Sequence, residues 1–155
     1  ENDFSADLEA KIDSANNFIY DGKHIINLPD KTKNIFLLLI MAQREPYQSL
    51  DTKWFNYEHE GNIGKARFVW ADSSNVWNGR DSVLCDHYRL DIKLNKPSKD
   101  LYKETDYFMR NIFTDNITRE LWISKSRQKQ IILASFKNSL FPFPLLAKLK
   151  ESSKR

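Results

Sequence analysis

Residues 82–94 read SVLCDHYRLDIKL, and this stretch decides the fold class. Leu84, Tyr88, Leu90, Ile92 and Leu94 recur at every second position, with Cys85, His87, Arg89, Asp91 and Lys93 between them. A two-residue period belongs to a strand with one face on a core and one toward water. Ser82–Leu94 is therefore expected to be the longest strand of the chain. Asp86 departs from the pattern, because alternation puts its carboxylate on the apolar face between Leu84 and Tyr88.

Strand signals continue on both sides of this stretch. Residues 52–60 and 65–71 are rich in strand formers (Trp54, Phe55, Tyr57, Phe68, Val69, Trp70), and Gly61-Asn62-Ile63-Gly64 supplies a turn between them. Residues 72–79 read as a polar loop whose Val76 and Trp77 fold back on the body. Residues 117–124 and 129–136 alternate again around Ser126-Arg127-Gln128. Residues 23–28 read as a strand. The apolar run at 34–43 fits a buried helix or a two-sided strand, and Ile25 and Ile26 just upstream favour a hairpin. Helices are expected at 3–19, where Leu8, Ile12, Ala15 and Ile19 form a stripe, and at 98–113, capped by Ser98. Residues 140–144 read as extended, and Pro144 is placed to open a short helix ending near Lys150. The expectation is a single α+β domain over residues 1–155. It has a mainly antiparallel sheet, an N-terminal helix, one helix between strands and a short C-terminal helix.

At 155 residues, with 41% apolar and 29% charged residues, the chain is long enough to close a core without staples. Its four glycines are not spaced for a phosphate-cradling loop, and Cys85 alone can form neither an intrachain disulfide nor a cysteine zinc site. Cofactor and metal are therefore not expected. The longest apolar run, residues 35–42, falls short of the roughly 20 residues a membrane-spanning helix needs. The first residue is Glu1, which reads as a start left after removal of an export signal. A periplasmic or secreted location is expected, with the cytoplasm as the alternative. The sequon Asn116-Ile117-Thr118 carries little weight, because such triplets are frequent.

Charge is uneven. Residues 1–30 hold seven acidic and two basic residues, and residues 117–155 hold nine basic and two acidic. The asymmetry can steer an acidic partner to one end, although separately solvated charges explain it as well. Arg67 with Phe68 and Trp70, and Arg119 with Trp122, could stack bases of a single strand. The basic residues are spread over a hairpin and a tail, so nucleic acid is not the expected partner. The C-terminal stretch, with Phe141, Phe143, Leu145, Leu146 and Leu149 beside Lys148 and Lys150, could lie on an anionic membrane. Docking of its leucines over an open sheet edge is favoured.

The candidate ligand-binding residues are Asp86, His87, Arg67 and Trp70. Asp86 on an apolar face must be paired, protonated or turned outward by a bulge, and Arg67 or a residue beside Tyr88 on the adjoining strand is the expected donor. Asp81 with Asp91-Ile92-Lys93 resembles the acid, then acid-x-lysine pattern of metal-dependent nucleases. On one strand, however, Asp81 and Asp91 would stand about 30 Å apart, too far to share an ion. Cys85 and His87 share a face that Asp86 does not, so no nucleophile–base–acid set forms there. The expected function is a non-enzymatic binding or protein-interaction module whose partner is another protein. The alternatives are a hydrolase or metal-dependent nuclease built around Asp86 or around Asp91 and Lys93, and a nucleic-acid-binding domain using the basic C-terminal half.

Overall fold

The computed structural model describes residues 9–15, 17–20, 24–95, 117–139 and 143–148. Within them lie two antiparallel sheets. The smaller has the order β1-β2-β3, formed by Ala10–Ile12, Asn17–Tyr20 and His24–Asn27. The larger is a six-stranded meander, β4 to β9 in chain order: Trp54–His59, Asn62–Trp77, Ser82–Leu94, Ile117–Ser124, Ile131–Asn138 and Leu145–Lys148. Two helices, α1 (Ile35–Arg44) and α2 (Tyr47–Leu50), connect the sheets in sequence. The mainly antiparallel sheet is as expected, but the helix arrangement differs.

No helix spans the described part of 3–19; Ala10–Ile12 and Asn17–Tyr20 pair as β1 and β2, with Ile12 opposite Phe18. Asp13 makes the turn. Its carboxylate accepts the backbone N–H groups of Ala15 and Asn17, each at 2.9 Å, and the Asn17 side-chain amide at 2.9 Å. Such local bonds compete with helix hydrogen bonding, and a stripe spaced three and four apart does not outweigh them.

The reverse correction applies to 34–43, which forms α1 rather than a strand. Asn34 caps the helix, its side chain accepting the Leu37 N–H at 2.9 Å. Leu, Met, Ala and Gln favour the helix, and the buried residues Ile35, Leu38 and Ala42 are spaced three and four apart. Pro46 prevents continuation beyond Glu45. At the other end, Leu145–Lys148 is strand β9 and not the first turn of a helix, because Phe136 to Leu133 of β8 offer it a ladder. The expected helix at 98–113 lies outside the described residues.

The β4–β5 hairpin closes on two residues, Glu60 (φ 47°) and Gly61 (φ 80°), with His59 opposite Asn62. The two positive φ values match the right-handed twist of the flanking strands. The turn thus precedes the expected one. Gly64 lies within β5, where a Cβ would collide with the backbone of Lys93 and Leu94 on β6. Strand β5 also runs on through 72–77, which is not a loop. A bulge at Ala71 shifts the register, so Trp70 faces Tyr88 while Asp72 faces His87.

The core lies between one face of the meander and the helices. Tyr57, Ala66, Phe68, Tyr88, Leu90, Ile92, Leu121, Ile123 and Ala134 meet Ile35, Leu38 and Ala42 of α1 and Leu50 of α2. Phe68 and Tyr88 pack edge to face at 5.9 Å. Helix α1 packs on β4 and α2 on β5, leaving the start of β6 beyond their cover. Leu84, expected inside, is therefore exposed, whereas Cys85 is fully buried. Trp77 is likewise exposed and does not fold back. The small sheet is tied to the β4–β5 hairpin by Tyr20, whose hydroxyl donates to the buried Glu58 Oε1; the same oxygen accepts the Gly61 N–H at 2.8 Å. No helix among the described residues is long and apolar enough to cross a membrane.

Candidate functional site

Strand β6 carries a polar cluster on each face, and the Ala71 bulge sets both. On the core side, Asp86 is buried, and its Oδ1 is the acceptor of three groups. Trp70 Nε1 donates at 3.3 Å, Ser73 Oγ at 3.1 Å, and the Lys125 ammonium approaches to 3.2 Å. Lys125 Nζ also lies 3.2 Å from Ser73 Oγ. Trp70 is fixed in turn by its backbone N–H on Asp51 Oδ1 at 2.8 Å and by stacking on Tyr47 at 5.3 Å. Asp86 is thus a paired carboxylate; of the two expected sources of a donor, the residue beside Tyr88 on the adjoining strand supplies one, as Trp70, and Arg67 does not. Without the bulge, Ser73 would point to the other face.

A serine, a lysine and an aspartate within 3.2 Å invite a nucleophilic reading. The bonding runs the wrong way for it. As an ion pair with Asp86, the Lys125 ammonium has no lone pair with which to take the Ser73 proton, and that proton already points at Asp86. The cluster closes the end of the core and cross-links β5, β6 and the β7–β8 turn.

On the opposite face, His87 stands between two carboxylates from neighbouring strands. Nδ1 is 3.4 Å from Asp72 Oδ1, and Nε2 is 3.3 Å from Glu120 Oε1, at ion-pair distance but without hydrogen-bond alignment. The imidazole lies flat on the Trp122 indole, with centroids 4.3 Å apart and planes 7° from parallel. Further along the same face, Asp91 is gripped from two sides. Arg67 Nε donates at 3.0 Å, and Arg89 donates through Nε at 2.7 Å and Nη2 at 3.1 Å. Burial alone would raise the Asp91 carboxyl, but the hydrogen bonds and charges of Arg89 and Arg67 outweigh it and hold the group below the usual carboxylate range. Arg67 also lies over the Trp54 ring at 4.6 Å.

The four sequence candidates therefore divide between two faces. Asp86 and Trp70 meet on the core side, while His87 and Arg67 belong to separate clusters outside. Asp81 and Asp91 are not brought together: Asp81 sits before β6 beside Arg80, and Asp91 is held by its two arginines. Lys93 faces Lys65 across the ladder, not a carboxylate. Among the described residues no group of three or more His, Cys, Asp or Glu side chains could hold a metal ion. Ser73, Asp72, Glu120 and Lys125 had no signal in the sequence, since their positions follow from a bulge and from strand register.

A third set of ionisable groups lies at the turn end of β4. Burial pushes the Tyr20 hydroxyl well above its ordinary range, and its bond to Glu58 adds to this. Burial likewise pushes the His59 imidazole down to about 4. Both observations mark a dry, structural corner rather than a solvent-facing site. Comparison of the chain with protein families, with curated proteins and with solved structures finds no match.

Proposed function

We propose that this chain is a non-enzymatic protein-interaction module that takes up an extended segment of a partner along strand β9. The observation that carries the reading is the state of that strand. β9 stands last in the meander and pairs with β8, and all four of its side chains are exposed. Leu145 and Leu146 point to opposite faces and are 51% and 52% exposed. Natural sheets blunt such an edge with charge, proline or cover; here Pro144 and Lys148 stand only at the two ends, and Leu-Leu-Ala between them leaves a ladder for a further strand. Added strands gain affinity from main-chain bonds and specificity from alternate side chains. A non-enzymatic role draws support from the polar clusters, in which carboxylates, serine, lysine and arginines are spent on one another.

A photo-crosslinking residue placed at Leu146 in the cell of origin tests this. A discrete protein adduct is expected there and not from the same residue at Lys65, and Leu146→Lys should weaken association in a chain crosslinked through Leu145. An adduct pattern identical at both positions would overturn the reading.

A further inference from the structure

We propose that the outward face of α1 seats the protein on an anionic lipid surface. The helix is apolar on two sides. Ile35, Leu38 and Ala42 enter the core, whereas Phe36, Leu37 and Ile40 are 58%, 44% and 45% exposed. A helix apolar all round is normally covered all round. The outward seam runs Phe36, Ile40, Arg44 at four-residue spacing with Leu37 alongside, so it ends on a guanidinium. Lys31 and Lys33 precede the helix, and no acidic residue occurs from Lys31 to Arg44. Lys129 adds an ammonium at the C-terminal end, where it donates to the Glu45 carbonyl at 3.1 Å. Lys31, Lys33, Arg44 and Lys129 thus stand at the two ends of the seam, against Asp30 and Glu45 in sequence and Glu60, which lies 3.9 Å from the His59 that meets the Phe36 ring at 6.0 Å.

This combination selects a lipid surface over a protein. The exposed parts of three side chains amount to roughly 300 Å², well under the ~800 Å² per partner of a stable protein interface. A bilayer sets no such minimum. Each apolar side chain entering the boundary adds to binding, and each cation near anionic headgroups adds separately. Phe36 and Leu37 supply bulk for the acyl boundary, while Arg44 and the lysines can extend along it to phosphates. The seam lies on the helix that packs on β4, the opposite edge of the meander from β9. The inference therefore stands or falls independently of the partner reading.

The test is flotation of the whole chain with vesicles of phosphatidylcholine alone and of an equal mixture with phosphatidylglycerol. Binding to the mixed vesicles is expected, at least about tenfold tighter than to phosphatidylcholine and falling as salt is raised. The double variant Phe36→Ser, Ile40→Ser and the single variant Arg44→Glu should each weaken it about tenfold. A thermal melt confirms that the variants are folded, and an environment-sensitive dye at position 37 should shift to the blue on mixed vesicles only. Equal retention by both vesicle types, or unchanged binding of the folded double variant, would overturn the proposal. So would absence of vesicle binding together with self-association that the double variant abolishes; the seam would then belong to a second copy.

Discussion

Asp86 shows what burial demands of one carboxylate. Its Oδ1 gathers an indole N–H, a hydroxyl and an ammonium from three segments. Ser73 and Lys125 are exposed and can rehydrate when the carboxylate is removed, whereas Trp70 Nε1 is partly enclosed. Asp86→Ala should therefore destabilise by about 1–2 kcal/mol in denaturant unfolding, the lower part of the range for breaking a buried network. His59 supplies a pH test. Its folded value, about 4, lies below the ordinary 6.5 because burial disfavours the imidazolium. The unfolded chain then takes the proton first. Stability from this residue is complete above about 6.5 and is lost as pH falls through about 4, on the order of 3 kcal/mol in all. His59→Asn should flatten the stability curve in that window, and an equal slope in parent and variant would rule the mechanism out. At this scale the sequence exposed Asp86 as an anomaly and pointed beside Tyr88 for a donor, which Trp70 is, but not to Ser73 or Lys125, because a one-residue bulge at Ala71 decides which side chains face it.

Among the elements, α1, β1–β2 and β9 are those that sequence reading inverted, and for the first two the cause is local. In both of these one side chain settles the matter by hydrogen-bonding nearby backbone: Asn34 on Leu37 starts a helix, and Asp13 on Ala15 and Asn17 makes a hairpin turn. Asn34→Ala should cost about 1 kcal/mol, and Asn34→Ser or Asp should restore most of it, measured by thermal melts. Strands β5 to β8 were legible because alternation persists for many residues. Residues 72–77 were not, since Asp, Ser and Asn disfavour strands until a partner such as β6 supplies the ladder.

Across the whole molecule, the meander presents two unlike edges. β4 is flanked by α1 and by the bridge of Lys33 to Tyr57, and β9 is exposed. The leucines of the C-terminal stretch were expected to bury against the sheet; Leu145 and Leu146 do not, since β9 extends the sheet sideways and no layer among the described residues covers it. Replacing both by serine should lower the unfolding free energy by no more than about 2–3 kcal/mol, since each leucine keeps about half of its surface buried, while abolishing the association that a probe at Leu145 or Leu146 captures in the parent. A larger loss of stability would show that the strand is packed in solution.

Alternation settles the antiparallel class and the long central strand, because a sustained two-residue period leaves only one backbone able to bury one face, and strand formers about a turn mark the β4–β5 and β7–β8 pairs. Glycine spacing also excluded phosphate loops, and the single cysteine excluded cysteine metal sites and intrachain disulfides. Long-range contacts settle that residues 145–148 do not wind into a helix, and that Ser73 and Lys125 reach Asp86 while Arg67 turns to Asp91. Local propensity for these segments is nearly balanced, and register, a bulge and the neighbouring ladder tip it; these are contacts between residues far apart in the chain, which no local pattern encodes.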